Sequence, residues 1–83
     1  MDQIARTPVQ LGAVLRRSRR AAKLSQQMLG EKAGLWQETI SKIEAGQKAT
    51  KIATIFDLLA ALDLEMLIQP RTKGSAADIE DAF

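Results

Sequence analysis

A chain of 83 residues with no cysteine, histidine or tyrosine is expected to be one domain, near the size at which a single core barely sustains itself and oligomerisation helps. The missing residue types remove disulfides, the common metal ligands and the usual general bases and nucleophiles; no paired-carboxylate or phosphate-loop pattern replaces them, so the chain reads as a non-enzyme with no cofactor and no metal. Net charge is only +2, but residues 16 to 51 carry nine Lys/Arg against three Glu while 52 to 69 carry three acids and no base, the asymmetry of a nucleic-acid face.

Met1 to Thr7 lacks the apolar centre of a signal peptide, and no apolar run approaches the roughly 20 residues that span a bilayer. A soluble, unexported chain with no membrane partner is expected, working in the cytoplasm at the nucleoid. Thr7 before Pro8 predicts a helix cap with proline in the first turn, opening a helix to about Ala22. Leu11, Val14, Leu15, Ser18 and Ala22 fall on one arc of it and Arg16, Arg17, Arg20 and Lys23 on the other, with Arg19 at the border.

The segment SQQMLGEKAGLWQETISKIEAG, residues 25 to 46, holds two short helical patterns hinged on Gly34, which tolerates the left-handed backbone a tight turn needs. The first starts after Ser25 and buries Leu29 and Ala33. Gly30 is placed where the two helices cross and a larger side chain would collide. The second starts near Gln37 and buries Ile40 and Ile43, with Leu35 and Ile40 spaced for a hydrophobic staple. Its outward face carries Gln37, Glu38, Ser41 and Lys42, an arrangement suited to reading DNA.

Gly46 ends that helix, and Thr50 is expected to cap a fourth, KIATIFDLLAAL, whose Ile52, Ile55, Phe56, Leu58, Leu59 and Leu62 spread over more than one face. A small domain cannot bury all of these internally. After Asp63, the alternation of Leu64, Met66 and Ile68 predicts a strand over Leu64 to Gln69. The only partner available is the same strand of a second copy, with a short fifth helix as the alternative. The fold class is therefore all-α, four helices and a short C-terminal strand pairing across a homodimer through Phe56, Leu59, Leu62, Leu64, Met66 and Ile68. Residues 1 to 69 form the DNA-binding and dimerisation domain. Residues 70 to 83, PRTKGSAADIEDAF, read as a linker and an acidic flexible tail. Its large apolar residues Ile79 and Phe83 are either part of a motif that orders on a partner or spent.

Ser25, Gln26, Gly30, Ala33, Gly34, Thr39, Ile40, Ser41, Ile43, Glu44 and Gly46 match in register the helix-turn-helix of the Xre and lambda-type repressor family, which this segment resembles. Trp36 departs from it, because that position is commonly a capping Ser or Thr. The leading Thr-Pro helix, TIFDLLAALDL and the terminal EMLI extend the resemblance, over about residues 7 to 69, to the HipB-type antitoxins.

The resemblance implies a lambda-repressor-like domain that binds double-stranded operator DNA as a dimer, represses transcription, and restrains a HipA-type serine/threonine kinase toxin encoded beside it. No small-molecule ligand is expected. A stand-alone or phage-type regulator without a toxin, and a protein-interaction adaptor, are the alternatives. Gln37, Glu38, Ser41 and Lys42 would face the major groove, where Gln pairs with adenine, Lys with guanine acceptors and Glu with the cytosine amino group. Trp36 would either join them against thymine methyls or sugars, or pack over the end of the second helix. Phosphates would be held by Gln26 at a helix start, by Thr39, and by a clamp of Lys48, Thr50 and Lys51. Arg19 and Glu44 align with a buried ion pair of lambda-type repressors, an architectural role.

Overall fold

The computed structural model describes residues 3–71, so Ile79 and Phe83 lie outside the described residues. Four helices follow one another: α1 Pro8–Ala21, α2 Gln26–Ala33, α3 Gln37–Glu44 and α4 Ile52–Ala61. Thr7 caps α1 by accepting from the Gln10 amide at 3.1 Å, with Pro8 filling the first helical position. Ser25 caps α2 through the Met28 amide at 3.0 Å. Each hydroxyl satisfies an amide that has no acceptor inside its own helix.

The helix ends are equally specific. After α1, α3 and α4 the chain closes with paired bonds: Lys23 N–H to Arg20 and Leu24 N–H to Arg19, Gly46 N–H to Ile43 and Gln47 N–H to Lys42, Asp63 N–H to Ala60 and Leu64 N–H to Leu59. This is the Schellman ending, which needs a left-handed residue in the turn. Lys23 (φ 60°), Gly46 (φ 96°) and Asp63 (φ 57°) provide it. Gly34 (φ 73°, ψ 33°) turns the chain out of α2.

Leu15, Leu29, Ile40 and Leu58, one from each helix, are completely buried and form the centre of the core, with Ile43, Ile55, Leu59 and Ala61 around them. α3 packs on α1 and α2, and α2 also packs on α4. A Cβ on Gly12 would run into the carbonyl oxygens of Ile43 and Glu44, so this glycine lets α1 lie against the end of α3. Gly30 does the same beside the turn, where a Cβ would stand 2.5 Å from the Leu35 carbonyl oxygen. Leu35, half-buried, packs on the cluster that contains Ile40.

Three expectations are corrected. Thr50 does not cap α4: the helix starts one residue later than expected, Lys51 occupies the cap position without a side-chain bond, and the Thr50 hydroxyl oxygen is buried with no hydrogen-bond partner among the described residues. Leu59 is only 7% exposed because it faces the core of its own chain, so it is not available to a dimer interface. Ala22 leaves the apolar arc and is exposed, since α1 has already turned into its Schellman ending there.

Residues 64–71 form neither a fifth helix nor any ladder among the described residues. Leu64 rests half-buried on the core, while Met66, Leu67 and Ile68 are exposed, Ile68 at 89%. Ile52 and Phe56 of α4 are exposed as well. No helix among the described residues is long and apolar enough to cross a membrane.

Candidate nucleic-acid interface

α3 divides its residues cleanly. Ile40 and Ile43 are sealed in the core, and Gln37, Glu38, Ser41 and Lys42 are all exposed on the outward side. An eight-residue helix has almost no intrinsic stability, so this polar face is displayed in one orientation only because the opposite face is anchored. Glu38 lies in the first turn and Lys42 in the last, each at the end where the helix dipole favours its charge. Thr39 is half-buried at the side of the helix. Trp36 holds the cap position of α3 with no side-chain cap bond and is 82% exposed.

The anchor at the other end of α3 is Glu44. Its carboxylate accepts from Arg19 Nε at 2.7 Å and Arg19 Nη2 at 3.0 Å, a two-pronged pair. Arg19 Nη1 donates to the Leu24 carbonyl at 2.8 Å. The hydrogen bonding that Arg19 donates to Glu44, opposed by burial and reinforced by the carboxylate charge, raises the Arg19 guanidinium above its ordinary value. Arg19 is thus a charged residue in the interior, each of its three side-chain nitrogens donating a hydrogen bond, and it ties α1 to the loop before α2 and to the end of α3.

Gln26 belongs to the same network: its Nε2 donates to Glu44 Oε1 at 3.1 Å. An amide nitrogen has two hydrogens, so the second stays available for a phosphate. As the first residue of α2, Gln26 stands where helix geometry leaves backbone amides without intrahelical acceptors, a natural anion position. Lys48 and Lys51 are exposed on the α3–α4 connection, and Thr50 between them is half-buried. Gln47 braces that connection through Nε2 to the Ala49 carbonyl at 3.3 Å.

The structure therefore brings together Gln37, Glu38, Ser41, Lys42 and Trp36 on and beside α3, and ties Gln26 to its far end through Glu44. Sequence reasoning missed the Gln26–Glu44 bond, the Leu24 carbonyl and Gly12. Its place three residues before the inward Leu15 was the available signal for Gly12. It also missed a shallow concavity between α2 and the start of α3, lined by Gln27, Glu31, Leu35, Trp36, Gln37 and Glu38. Among the described residues no group of acidic side chains could hold a metal ion.

Comparison with known proteins agrees with this geometry. A family described as "Helix-turn-helix domain" matches residues 10–66. An uncharacterized HTH-type transcriptional regulator, y4dL of Sinorhizobium fredii, is 40% identical over 57 residues; that stretch is 69% of this chain, which spans only 29% of that relative. Among solved structures, a chain of the HipA-HipB-O2-O3 complex superposes with a TM-score of 0.78 at 30% identity, covering 86% of this chain and 100% of that one. A chain of the HipB-O4 20mer complex gives 0.79 at the same identity and coverage. The restriction-modification controller protein C.AhdI from Aeromonas hydrophila gives 0.66 at 36% identity, over 70% of this chain and 88% of that one.

Proposed function

Because the chain belongs to the Xre-like family of helix-turn-helix proteins, we propose that it binds operator DNA as a homodimer and represses transcription there. The observation that carries this reading is the outward face of α3, where four polar side chains are exposed on a helix locked by Ile40, Ile43 and Glu44. Gln37, Glu38, Ser41 and Lys42, with Trp36 beside them, contact base edges in the major groove. Gln26, Thr39, Lys48 and Lys51 hold the flanking phosphates and set the register; the Thr50 hydroxyl, buried at the start of α4, does not reach them.

The dimer forms through the apolar surface of α4 and the chain after it. Ile52, Phe56, Met66, Leu67 and Ile68 are exposed there, more apolar side chain than a small monomer normally leaves in water. Half-buried Leu62 and Leu64 border the same surface. Residues 64–69 pair with their copy as a two-stranded ladder, placing the two α3 helices about one turn of DNA apart.

The finer reading is an antitoxin that restrains a HipA-type serine/threonine kinase. It is supported by a superposition that covers the whole of the matching chain from the HipA-HipB-O2-O3 complex. The resemblance to a restriction-modification controller protein favours a second reading, a regulator with no toxin.

Two measurements test the proposal. Equilibrium binding of the full chain to duplex DNA at rising salt should show log affinity falling linearly with log salt, by about 0.9 for each phosphate neutralised; weak, salt-insensitive binding would instead indicate a protein adaptor. Purification from the native host with identification of bound proteins should recover the kinase, and recovery of DNA-binding chain alone would leave the toxin-free regulator.

A further inference from the structure

The outward side of α1 carries charge that nothing around it answers. Residues 3 to 30 hold six bases and no acid, whereas residues 31 to 51 hold four bases and three acids. Arg19 is paired with Glu44 in the interior, and Arg17 donates to the neutral amide oxygen of Gln3 at 3.0 Å. Arg16, Arg17, Arg20 and, just past the helix, Lys23 are all exposed and make no ion pair among the described residues. The helix dipole favours a cation such as Arg20 in the last turn, but it gives no reason for Arg16 and Arg17 further back. By the helical period Arg16 and Arg20 share a strip with Val9, which is 63% exposed at the start of the helix. One apolar residue followed by cations suits an anionic segment that finishes in an apolar group.

The chain itself holds such a segment. Residues 78–83, DIEDAF, place Asp78, Glu80 and Asp81 ahead of Phe83 and lie outside the described residues. Fully extended, Asp78 to Phe83 measures about 17 Å, and the helical rise from Val9 to Arg20 is also about 17 Å. Length therefore agrees as well as charge. The stretch from Arg71 to Asp78 reaches about 25 Å, close to the roughly 30 Å across a small domain. Resting on the DNA-binding reading above, we propose that residues 78–83 dock on the outward strip of α1, with the three acids against Arg16, Arg20 and Lys23 and Phe83 against Val9, and compete with duplex DNA for these cations. Tethering holds the segment at an effective concentration of about a millimolar. Random duplex is bound by charge alone, so the segment displaces it, whereas an operator adds base contacts at α3 and prevails. The device sharpens the choice between operator and bulk DNA.

The chain has no cysteine, so Ala82→Cys takes a single nitroxide label. In the full chain without DNA, the label should broaden the amide signals of Val9 to Lys23 and spare those of α3 and the α3–α4 connection. Changing Asp78→Asn, Glu80→Gln and Asp81→Asn together should abolish the broadening, and salt at about 0.5 M should weaken it, because exposed charges are screened. Affinity for a duplex of random sequence completes the test as a double-mutant cycle. Neutralising the three acids should tighten binding about fivefold at low salt, the worth of two or three exposed ion pairs. In Arg16→Gln/Arg20→Gln the same change should matter by less than about twofold. Equal tightening in both backgrounds would show a change of net charge only and overturn the inference. Broadening confined to the α3–α4 connection, which would seat the segment on Lys48 and Lys51, would overturn it as well, and so would an α1 left unbroadened. Failure of every form to bind any duplex would end the DNA reading instead, with the contact on α1 still judged by the label.

Discussion

The first two helices and the last two begin differently. α1 and α2 start under hydroxyl caps, Thr7 and Ser25, each bonded to an amide in the first turn. α3 and α4 start at Trp36 and Lys51, neither of which makes a cap bond. Both uncapped starts are proposed to meet DNA, as is Gln26 at the capped start of α2, so the base-reading helix α3 is the one that depends on packing without a local cap. α3 has that packing in Gly12, Ile40, Ile43 and Glu44; its stability comes from tertiary contacts and its surface is left for function.

The largest expected effect breaks the tie between the two halves. Glu44→Ala strands Arg19 in the interior without its partner and should cost about 3–5 kcal/mol in urea unfolding. A loss below about 1 kcal/mol would mean the pair is no anchor. Gly12→Ala should follow at about 1–3 kcal/mol, because the added methyl must push α1 away from the carbonyls at the end of α3; unchanged stability would show that the two helices separate freely.

The caps sharpen the comparison directly. Thr7→Ala and Ser25→Ala should each lose about 1 kcal/mol, and Lys51→Asp, which supplies the missing cap, should gain a similar amount while weakening DNA binding. Melting curves and binding titrations on the same samples decide it; a gain in both would contradict the assignment of the α4 start to DNA. The smallest effect lies outside both sets. Lys23 is held at φ 60°, so Lys23→Gly should stabilise by about 0.5–1 kcal/mol on relief of left-handed strain. Ending the chain at Asp63 tests the α4 surface in another way: sedimentation should show monomer, and a persisting dimer would show residues 64–69 to be dispensable.

Most of the framework is legible in the sequence because its signals are local. Thr7-Pro8, Ser25, Gly34 and Gly46 each mark a boundary through the chemistry of one or two residues, and the residues inside α2 and α3 keep a strict helical period. The misreadings share a different cause. In α4 nearly every position is apolar, so periodicity could not tell Leu59, which faces the core, from Phe56, which faces outward. Thr50 is a good cap by type, yet its hydroxyl is buried beside the helix start. Gly12 looks like a weak point in α1 until α3 is brought against it. Within the candidate site, the outward set on α3 was legible from spacing. The bond from Gln26 to Glu44 was not, since it joins residues 18 apart in the chain.

The central claim is that α3 reads bases while the α3–α4 connection holds phosphates. It is tested most directly by measuring affinities for a selected duplex and a scrambled duplex with wild type, Gln37→Ala and Lys48→Ala. Gln37→Ala should lose about 1–3 kcal/mol on the selected duplex alone, and Lys48→Ala should weaken both duplexes alike. Equal losses on both duplexes for Gln37→Ala would contradict the account.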